Sequence, residues 1–347
     1  MSAPLNWLVI WAGAIGTYIG GSLQLHGQQV TFLEQAAAAA EIRQRGMHLQ
    51  LENGESRQIA DPCLTVTMEE ATFNAPFDAV ILAIKSYDTP SLLEKIMPYQ
   101  QHLSALICFQ NGVENEARLA ALLGTERVIP GTVTSAVARR AAGDVFVERQ
   151  RGLGLSSLHP LSIRFAQAFN QAGLNARLYP RPADMKWSKM LTNLVGNATS
   201  AILDLTPVQV FAHPQLFRME IRQLREALAV MGSSGIRVVN LPGVPVRLLG
   251  LAAKHFPYWI ARPLLRRAVG RGRGAKMPSL HIDLHSGRGQ SEVDYLNGAV
   301  VRAGECAGVP TPVNALLNET LLGLVSGSIP LADFHHKPPV LLEKISS

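Results

Sequence analysis

The chain has 347 residues, which at a typical domain size of about 150 residues predicts two domains. Hydrophobic residues make up 47% of the chain and its three cysteines are widely spaced without a CxxC pair, so the composition excludes disordered, collagen-like and disulfide-scaffold proteins and favours a reducing, cytoplasmic compartment. The net charge of +6 equals the six basic residues at positions 262–276, and no apolar run reaches the roughly 18 residues of a membrane span, so we expect neither a nucleic-acid partner nor a transmembrane segment.

Short apolar runs alternate with helical patterns over the first 180 residues. This alternation is typical of βαβ units, whose strands form a parallel sheet that is covered on both faces. A helix over Gly13–Leu25 is expected directly after the first strand. The predicted strands are Leu5–Ile10, Gln29–Leu33, Phe77–Ile84, Ala105–Phe109 and Arg127–Ile129.

The pattern changes to helices from Asp184 onward. Ser291-x-x-Asp294 has the spacing of a capping box, which indicates the start of a helix. The predicted helices are Asp184–Leu203, His213–Met231, Ser291–Gly308 and Thr311–Val325. The sequence therefore predicts an α/β domain with a parallel sheet over residues 1–181 and an all-α domain over residues 182–347.

The turn between the first strand and the first helix reads Trp11-Ala12-Gly13-Ala14-Ile15-Gly16. A Rossmann-type, dinucleotide-binding turn has G-x-G-x-x-G here, because its glycines permit the tight turn, the approach of a pyrophosphate to the backbone, and close packing of the helix on the strand. The second and third glycines are present, and Trp11 stands in place of the first. The position predicts that residues 11–16 bind dinucleotide phosphates at the helix N-terminus. The alternative is that the glycines serve packing alone and that the indole crowds the loop.

An acidic residue, Glu34, follows the second strand. A carboxylate at this point of a Rossmann-type domain accepts a hydrogen bond from a ribose 2′-hydroxyl and repels a 2′-phosphate. Glu34 therefore favours NAD over NADP. The alternative is a solvated glutamate at the start of a helix.

Three polar residues, Lys189, Asn193 and Asn197, recur every four positions among apolar neighbours. On one helix this spacing puts them on one face. Partial desolvation by apolar neighbours suits a lysine to proton donation near neutral pH, and the two amides can hold hydroxyl or carboxylate oxygens. The alternative is a polar seam that is satisfied between two helices.

Two further groups of polar residues lie near the C-terminus. Glu292 is placed in the first turn of a helix, where the helix dipole favours a carboxylate. His281 and His285 have the i, i+4 spacing of metal ligands, but no third ligand lies nearby in the sequence, and we expect no metal site.

The chain resembles the ketopantoate reductase (2-dehydropantoate 2-reductase) family over most of its length. The resemblance rests on the Ala12–Gly16 turn and on a second set of motifs, of which the last two are quite specific to the family. These motifs are Ala83-Ile84-Lys85-Ser86-Tyr87, Gln110-Asn111-Gly112, Lys186-Trp187-Ser188-Lys189-Met190-Leu191-Thr192-Asn193 and Ser291-Glu292-Val293-Asp294-Tyr295-Leu296-Asn297-Gly298.

The resemblance implies a role for each matching residue. Lys189 matches the general acid that protonates the ketone oxygen as hydride arrives from NADPH, and Glu292 matches the carboxylate that orients this lysine. Asn193 and Asn197 match residues that bind the substrate hydroxyl and carboxylate, and Ser279 matches a serine that holds the carboxylate. Lys85 and Asn111 match positions on the cofactor side. The implied activity is the NADPH-dependent reduction of 2-dehydropantoate to pantoate, a step of pantothenate and coenzyme A biosynthesis.

The chain departs from the family pattern at three places. Trp11 replaces the first glycine, Glu34-Gln35 stands where the family carries an arginine for the 2′-phosphate of NADP, and residues 242–278 are longer, more apolar and more basic than usual. The alternatives are therefore a reductase of another small 2-oxo acid, the use of NAD, or a catalytically weak paralogue that binds a dinucleotide or metabolite. For the stretch 255–276 we favour an inserted helix and surface loop over contact with an anionic membrane or acidic partner, and a homodimer is left open.

Overall fold

The computed structural model describes residues 3–273 and 276–346. They divide into two compact units. The sheet unit comprises Met1–Gln110, Glu114–Lys186 and Leu241–Val244, and the helical unit comprises Asn111–Val113, Trp187–Asn240 and Pro245–Ser347. The chain passes between the units at several points, and the passage after Lys186 falls within a helix.

The sheet unit contains twelve strands and six α-helices among its described residues. The strands are β1 Asn6–Ile10, β2 Gln29–Leu33, β3 Met47–Gln50, β4 Ser56–Ile59, β5 Cys63–Thr65, β6 Ala79–Leu82, β7 Leu106–Cys108, β8 Val128–Val133, β9 Ala136–Ala141, β10 Asp144–Arg149, β11 Leu153–Ser156 and β12 Ala176–Tyr179. The helices are α1 Ala14–Leu25, α2 Ala36–Arg45, α3 Met68–Thr72, α4 Thr89–Ile96, α5 Asn115–Leu123 and α6 Ser162–Gln171.

Eight strands form one sheet in the order β12-β11-β8-β7-β6-β1-β2-β5. All neighbouring pairs are parallel except β11 with β8, so the predicted Rossmann-type domain with a parallel sheet is confirmed. A second sheet, β4-β3-β10-β9, was not predicted. Its strands are short and half exposed, and β4 and β9 carry no continuous apolar run that would distinguish them from loops.

Strand β1 is buried on both faces. Trp7 and Val9 lie in one apolar cluster and Leu8 and Ile10 lie in another, because successive side chains of a strand point to opposite sides of the sheet. The ring of Trp7 is 5.2 Å from the ring of Phe165, which lies on α6. The unbroken apolar run of β1 is what a doubly covered parallel strand requires.

The regular elements described in the helical unit are helices. They are α7 Pro182–Leu194, which begins in the sheet unit, α8 Asn197–Leu203, α9 Pro207–Ala212, α10 Pro214–Ser233, α11 Val246–His255, α12 Tyr258–Arg273, α13 Ser279–Leu284, α14 Ala299–Ala307, α15 Pro312–Ser326 and α16 Pro338–Ser346. The prediction that the second domain is all-α is confirmed.

The prediction of a single helix over Asp184–Leu203 is wrong, because the helix is interrupted between α7 and α8. Gly196 has a left-handed backbone with φ of 59°, which ends α7. The backbone N–H of Gly196 donates to Glu220 Oε2 at 2.7 Å, and Thr199 Oγ1 donates to the other oxygen of Glu220 at 2.5 Å. This fully buried carboxylate of α10 thus satisfies the start of α8.

The predicted capping box at Ser291 and Asp294 does not form. The Ser291 hydroxyl accepts from the backbone N–H of Val293 at 3.2 Å, while Asp294 Oδ1 accepts from Arg302 at 2.9 Å. Residues Asp294–Gly298 then form a turn of π-helix before α14. Gly308 ends α14 in a left-handed conformation, as predicted.

A buried hydrogen-bonded network joins α10, this π-helical turn and α15. Gln223 Nε2 donates to Glu220 Oε2 at 2.9 Å, and Gln223 Oε1 accepts from Asn297 at 3.0 Å. Asn297 also donates to Asn314 at 3.0 Å, and Glu226 accepts from the backbone and side chain of Asn314. Buried polar groups that are fully paired in this way fix the register of the helices that carry them.

Replacing Gly196 with alanine should reduce the free energy of unfolding by about 1–2 kcal/mol, because an L-residue is strained in the left-handed conformation. Its Cβ would also lie 3.3 Å from Cβ of Pro207. The matched control is Gly232→Ala on α10, where the new Cβ meets no atom within 4 Å. The control should raise the free energy of unfolding by about 0.5–1 kcal/mol. Urea titration of both variants measures the difference, and equal stabilities would refute this account of the helix break.

Candidate functional site

The predicted phosphate-binding turn lies at the point where the strand order of the sheet reverses. Strand β1 pairs with β2 on one side and with β6 on the other. The register places Ile10 opposite both Leu33 and Leu82. Residues 11–16, Glu34 and the segment after β6 therefore leave the same edge of the sheet. In open α/β sheets this is the edge at which ligands bind.

Trp11 has a left-handed backbone, a conformation that favours glycine. Its φ is 61°, a value that is rare for a bulky residue, and its N–H donates to the carbonyl of Leu33 at 2.8 Å. The half-buried indole packs against the apolar cluster that contains Leu8 and Ile10. The side chain is thus accommodated by packing, and the turn keeps a glycine-like path at the cost of backbone strain.

The two glycines that remain serve different purposes. A Cβ on Gly16 would lie 2.2 Å from the carbonyl oxygen of Trp11, so this position tolerates only glycine if the helix is to start so close to the turn. A Cβ on Gly13 would meet no atom within 4 Å. Open space at Gly13 is what the approach of a ligand to the backbone needs.

The N-terminus of α1 is suited to an anion. Gly13 is the N-cap residue, no side chain caps it, and the first turn contains no acidic residue. The amides of Ala14, Ile15 and Gly16 belong to this first turn, where backbone N–H groups have no acceptor within the helix. Together with the open space at Gly13, these features fit the pyrophosphate of a dinucleotide.

Glu34 is buried, and its carboxylate faces the backbone of the turn at residues 11–16. Oε1 accepts from the backbone N–H of Ala12, and Oε2 accepts from the N–H of Gln35 at 2.8 Å. Burial raises the pKa of Glu34, opposed by these two N–H groups and by the charge of Arg139. The alternative of a solvated glutamate at a helix start is therefore wrong. Glu34 holds the turn through its carboxylate, and the binding of a ribose by this carboxylate stays a prediction.

The segments after β6 and β7 are held together by Gln110. Its Nε2 donates to the carbonyl of Ile84 at 3.2 Å and to Thr89 Oγ1 at 2.7 Å. The carbonyl of Lys85 lies 3.4 Å from the same nitrogen, and the lysine is half-buried at the end of β6. Two of the motifs that carry the family resemblance thus meet at the edge of the sheet where β1 ends.

Sequence analysis assigned no role to Lys186, which is buried in the sheet unit. Its Nζ donates to the carbonyls of Gln110 at 2.7 Å and Gly131 at 3.3 Å, and lies 2.6 Å from Glu116 Oε1. Burial alone would lower the pKa of Lys186, but the charge of Glu116 and its hydrogen bond to the lysine outweigh burial and raise the pKa. The lysine therefore stays charged and joins the segment after β7 to the middle of β8. A buried charge of this kind has no periodic signal in a sequence.

Lys189 is half-buried on α7, whereas its neighbours in the sequence, Ser188, Met190 and Leu191, are buried. One turn later, Asn193 Nδ2 donates to Asn111 Oδ1 at 3.0 Å. Asn111, which was expected on the cofactor side, belongs to the helical unit by its contacts. The structure therefore brings together one predicted substrate residue and one predicted cofactor residue.

Asn197 and Ser279 are in direct contact. Asn197 Nδ2 lies 3.4 Å from Ser279 Oγ, and Asn197 Oδ1 accepts from the backbone N–H of Leu280 at 3.1 Å. The regular spacing predicted that Lys189, Asn193 and Asn197 share one helix. This prediction is wrong for Asn197, which is the first residue of α8. Glu292 is buried, and its backbone N–H lies 3.4 Å from Asp283 Oδ2.

A third potential ligand lies beside His281 and His285, which corrects the expectation that none is near. Asp204 is the residue that ends α8, and its Oδ1 is 2.8 Å from His281 Nε2. Burial tends to raise the pKa of Asp204, but the hydrogen bond and charge of His281 and the charges of two other histidines lower it. Asp204 is 77 positions away from His281, so no local spacing reveals the group.

The basic stretch 255–276 is mostly the helix α12, and residues 274–275 lie outside the described part of the chain. The ring of Tyr258 packs 6.3 Å from the ring of Phe217, and Arg225 of α10 lies 5.1 Å from the centre of the Tyr258 ring. Trp259 is 77% exposed. In the part of the chain that the structure covers, none of the helices has the length and apolarity needed to span a bilayer. The helix that sequence analysis favoured here is present, and contact of this stretch with a membrane surface or acidic partner, the disfavoured alternative, stays untested.

Replacing Lys186 with methionine should cost about 3–5 kcal/mol of unfolding free energy, because Glu116 would be left buried without its counter-charge. The double variant Lys186→Met, Glu116→Leu should recover part of this loss. Arg118→Ala, which removes an exposed ion pair with Glu114, is the control and should change stability by less than about 1 kcal/mol. Chemical denaturation of the wild type, the single variants Lys186→Met and Glu116→Leu and the double variant measures the coupling, and additive single effects would show that the pair is not coupled.

Comparison with known proteins places the chain in a family over both units. Residues 7–159 match a family model described as ketopantoate reductase PanE/ApbA, and residues 183–324 match the model of its C-terminal domain. A 2-dehydropantoate 2-reductase from Pyrococcus horikoshii is 25% identical over 317 residues, covering 89% of this chain and 94% of the relative. One from Halobacterium salinarum is 26% identical over 312 residues, covering 87% of this chain and 92% of the relative.

Solved structures share the fold. A PanE/ApbA family ketopantoate reductase from Ralstonia eutropha JMP134 has a TM-score of 0.77 at 23% identity and covers 92% of this chain and 99% of its own. D-mandelate dehydrogenase, solved with NADH and anilino(oxo)acetate, has a TM-score of 0.75 at 20% identity, with the same coverage. With two domain models that together match most of its length, the chain belongs to the ketopantoate reductase family of oxidoreductases.

Proposed function

We propose that the protein reduces 2-dehydropantoate to pantoate with NADPH, a step of pantothenate and coenzyme A biosynthesis carried out in the cytoplasm. The observation that carries the proposal is a half-buried lysine, Lys189, on an otherwise buried stretch of α7, with Asn193 one turn later. The two curated relatives described above act, by their names, on the same 2-oxo acid. Their identity of 25–26% supports the reaction class more strongly than the substrate.

The sheet unit would hold the dinucleotide. The amides at the start of α1 and the open space at Gly13 suit the pyrophosphate, and Lys85 stands at the end of the neighbouring strand. The cofactor, when bound, supplies the hydride. Trp11 does not argue against binding, because the turn follows the path that glycine would give.

Lys189 would act as the general acid of the reduction. As hydride is added to C2 of the 2-oxo acid, negative charge develops on the ketone oxygen, and an ammonium group stabilises it and donates a proton. The product is the 2-hydroxy acid, and the neutral lysine takes a proton back from solvent. Glu292, which is buried, would keep Lys189 charged and oriented.

Asn193, Asn197 and Ser279 would hold the acid substrate. The contact between Asn197 and Ser279 puts an amide and a hydroxyl next to each other at the start of two helices. These groups offer hydrogen bonds for a carboxylate and a hydroxyl, as 2-dehydropantoate requires. The N-terminus of α13 adds the favourable end of a short helix dipole.

A second candidate is an NADH-dependent reductase of a different 2-oxo acid. Glu34 and Gln35 favour it, because a carboxylate after β2 repels the 2′-phosphate of NADPH and the arginine of the family pattern is missing. The fold is also shared with D-mandelate dehydrogenase, a protein solved with NADH. A third candidate, the weak paralogue motivated by Trp11, requires that the indole prevent dinucleotide binding.

Lys189→Ala should lower kcat by about 10²–10⁴-fold, the usual contribution of a general acid, while the Kd for the dinucleotide stays within threefold of wild type. Lys254→Ala on α11 is the matched control and should keep full activity, because Lys254 is exposed and belongs to none of the predicted sites. Steady-state rates and a fluorescence titration supply the two readouts. Unchanged turnover in Lys189→Ala would remove the lysine from the mechanism.

Trp11→Gly should change the Kd for NADPH by less than about tenfold, or 1.4 kcal/mol, because the wild-type backbone already has the conformation that glycine favours. Calorimetric titration of both proteins measures this. A wild type that fails to bind either dinucleotide while Trp11→Gly binds tightly would instead establish the weak paralogue.

The substrate and cofactor are tested together by measuring kcat/KM for 2-dehydropantoate and for phenylglyoxylate with NADPH and with NADH. We expect the highest value for 2-dehydropantoate with NADPH. A higher value for the aromatic 2-oxo acid with NADH would favour the second candidate. If NADH is preferred, Glu34→Gln should shift the preference toward NADPH, because the repelling charge is removed.

A further inference from the structure

Asp204 and four histidines converge from three separate segments of the helical unit. Asp204 ends α8, His281 lies on α13, and His285 follows the end of α13. His335 and His336 come from the segment before α16. Ligand atoms of Asp204, His281 and His285 all lie within 4.8 Å of one another. Nothing in the reductase mechanism uses this cluster.

Ring contacts extend the cluster to His335. The rings of His281 and His285 have centroids 4.3 Å apart, and the rings of His285 and His335 are 6.1 Å apart. His335 Nε2 is buried and has no hydrogen-bond partner among the described residues. A buried polar atom without a partner is costly, so this nitrogen is explained if it faces a ligand that the protein binds.

The carboxylate of Asp204 is fixed from two sides. Its Oδ1 is 2.8 Å from His281 Nε2, and its Oδ2 is 3.5 Å from His336 Nε2. The backbone N–H of His336 donates to the carbonyl of Leu203 at 2.9 Å, which ties the histidine segment to the end of α8. The three segments are therefore held together before any ligand binds.

We propose that Asp204, His281, His285 and His335 bind one divalent transition-metal ion of the Zn²⁺ type, with His336 positioning the carboxylate. One carboxylate and three imidazoles form a typical donor set for Zn²⁺ and related ions. Ligand atoms of a tetrahedral site with bonds of about 2.1 Å lie about 3.4 Å apart, and the ligand atoms of Asp204, His281 and His285 already lie within 4.8 Å of one another. The ring of His335, 6.1 Å from the ring of His285, would turn toward these three to supply the fourth ligand. Mg²⁺ and Ca²⁺ prefer oxygen ligands and should not bind here.

The ion would clamp α13 to α8 at the end opposite to Asn197 and Ser279. These two residues begin the same two helices, and a helix of seven residues is about 10 Å long. Metal binding to the native state alone stabilises that state by RT ln(1 + [L]/Kd), so the stabilisation grows with the logarithm of the metal concentration. The expected role of the ion is to stabilise the helical unit, independently of the reductase activity proposed above.

The first experiment is a calorimetric titration of the full chain with ZnCl₂, after purification without a histidine tag and treatment with chelator. We expect one Zn²⁺ per chain with micromolar or tighter Kd, and a rise in Tm of about 5 °C or more at 100 times the Kd. MgCl₂ should produce neither effect. A stoichiometry well below one, or a Kd in the millimolar range, would overturn the proposal.

Variants locate the site. His285→Ala and His335→Ala should each weaken Zn²⁺ binding at least tenfold, and the double variant should abolish it. Asp204→Asn keeps a residue that tolerates the left-handed backbone of this position and tests the carboxylate alone. His255→Ala on α11 removes an exposed histidine outside the cluster and should leave the Kd unchanged. Equal affinity in wild type and in the double variant would refute the site.

Co²⁺ provides a readout that does not depend on stability. Bound by the proposed ligands, it should show the intense visible absorption of a tetrahedral complex, and this absorption should be lost in His285→Ala. A weak, octahedral-type spectrum would contradict the proposed ligand set, even if the ion bound to the protein.

Discussion

The pairing of β1 with a strand on each side is the constraint on which the sheet unit depends. Because β1 is parallel to both β2 and β6 and buried on both faces, its end is fixed in all directions. The turn after it must then leave the sheet at the point where the strand order reverses. Trp11, Glu34 and Lys85 are brought to one edge by this register, although they are far apart in the sequence.

Buried charges hold the turns and helix ends of each unit. Glu34 accepts from the amide of Ala12 in the turn after β1, Lys186 joins the segment after β7 to β8, and Glu220 satisfies the start of α8. Each charge is paired or hydrogen-bonded, as burial requires. In the sheet unit the neighbouring Cys108 has its pKa raised, chiefly by burial and then by Glu116, so its thiol stays protonated and is no nucleophile. Lys189, the proposed general acid, is half-buried, whereas Glu292 and Asn197, which have proposed roles beside it, are buried.

Local patterns predicted the fold class and the position of the turn, because apolar runs and helix caps are local signals. β2 and its bounds, the turn at residues 11–16 and the end of α14 at Gly308 all follow from such patterns. The break at Gly196 did not, because a carboxylate on another helix decides it. The role of Lys186 and the meeting of Asp204 with His281 depend on partners that are distant in the sequence. The roles of Lys189, Asn197 and Glu292 rest on the family resemblance and stay predictions.

The left-handed tryptophan in the phosphate-binding turn has an optical consequence. Of the four tryptophans, Trp7 and Trp187 are buried and Trp259 is largely exposed, whereas Trp11 is half-buried at the turn itself. If the turn binds the dinucleotide as proposed, the charge of the phosphates and the absorption of the reduced nicotinamide, which overlaps indole emission, would both change the fluorescence of Trp11. Trp11, which stands in place of the first glycine, is thus an intrinsic fluorescent reporter of the turn at residues 11–16.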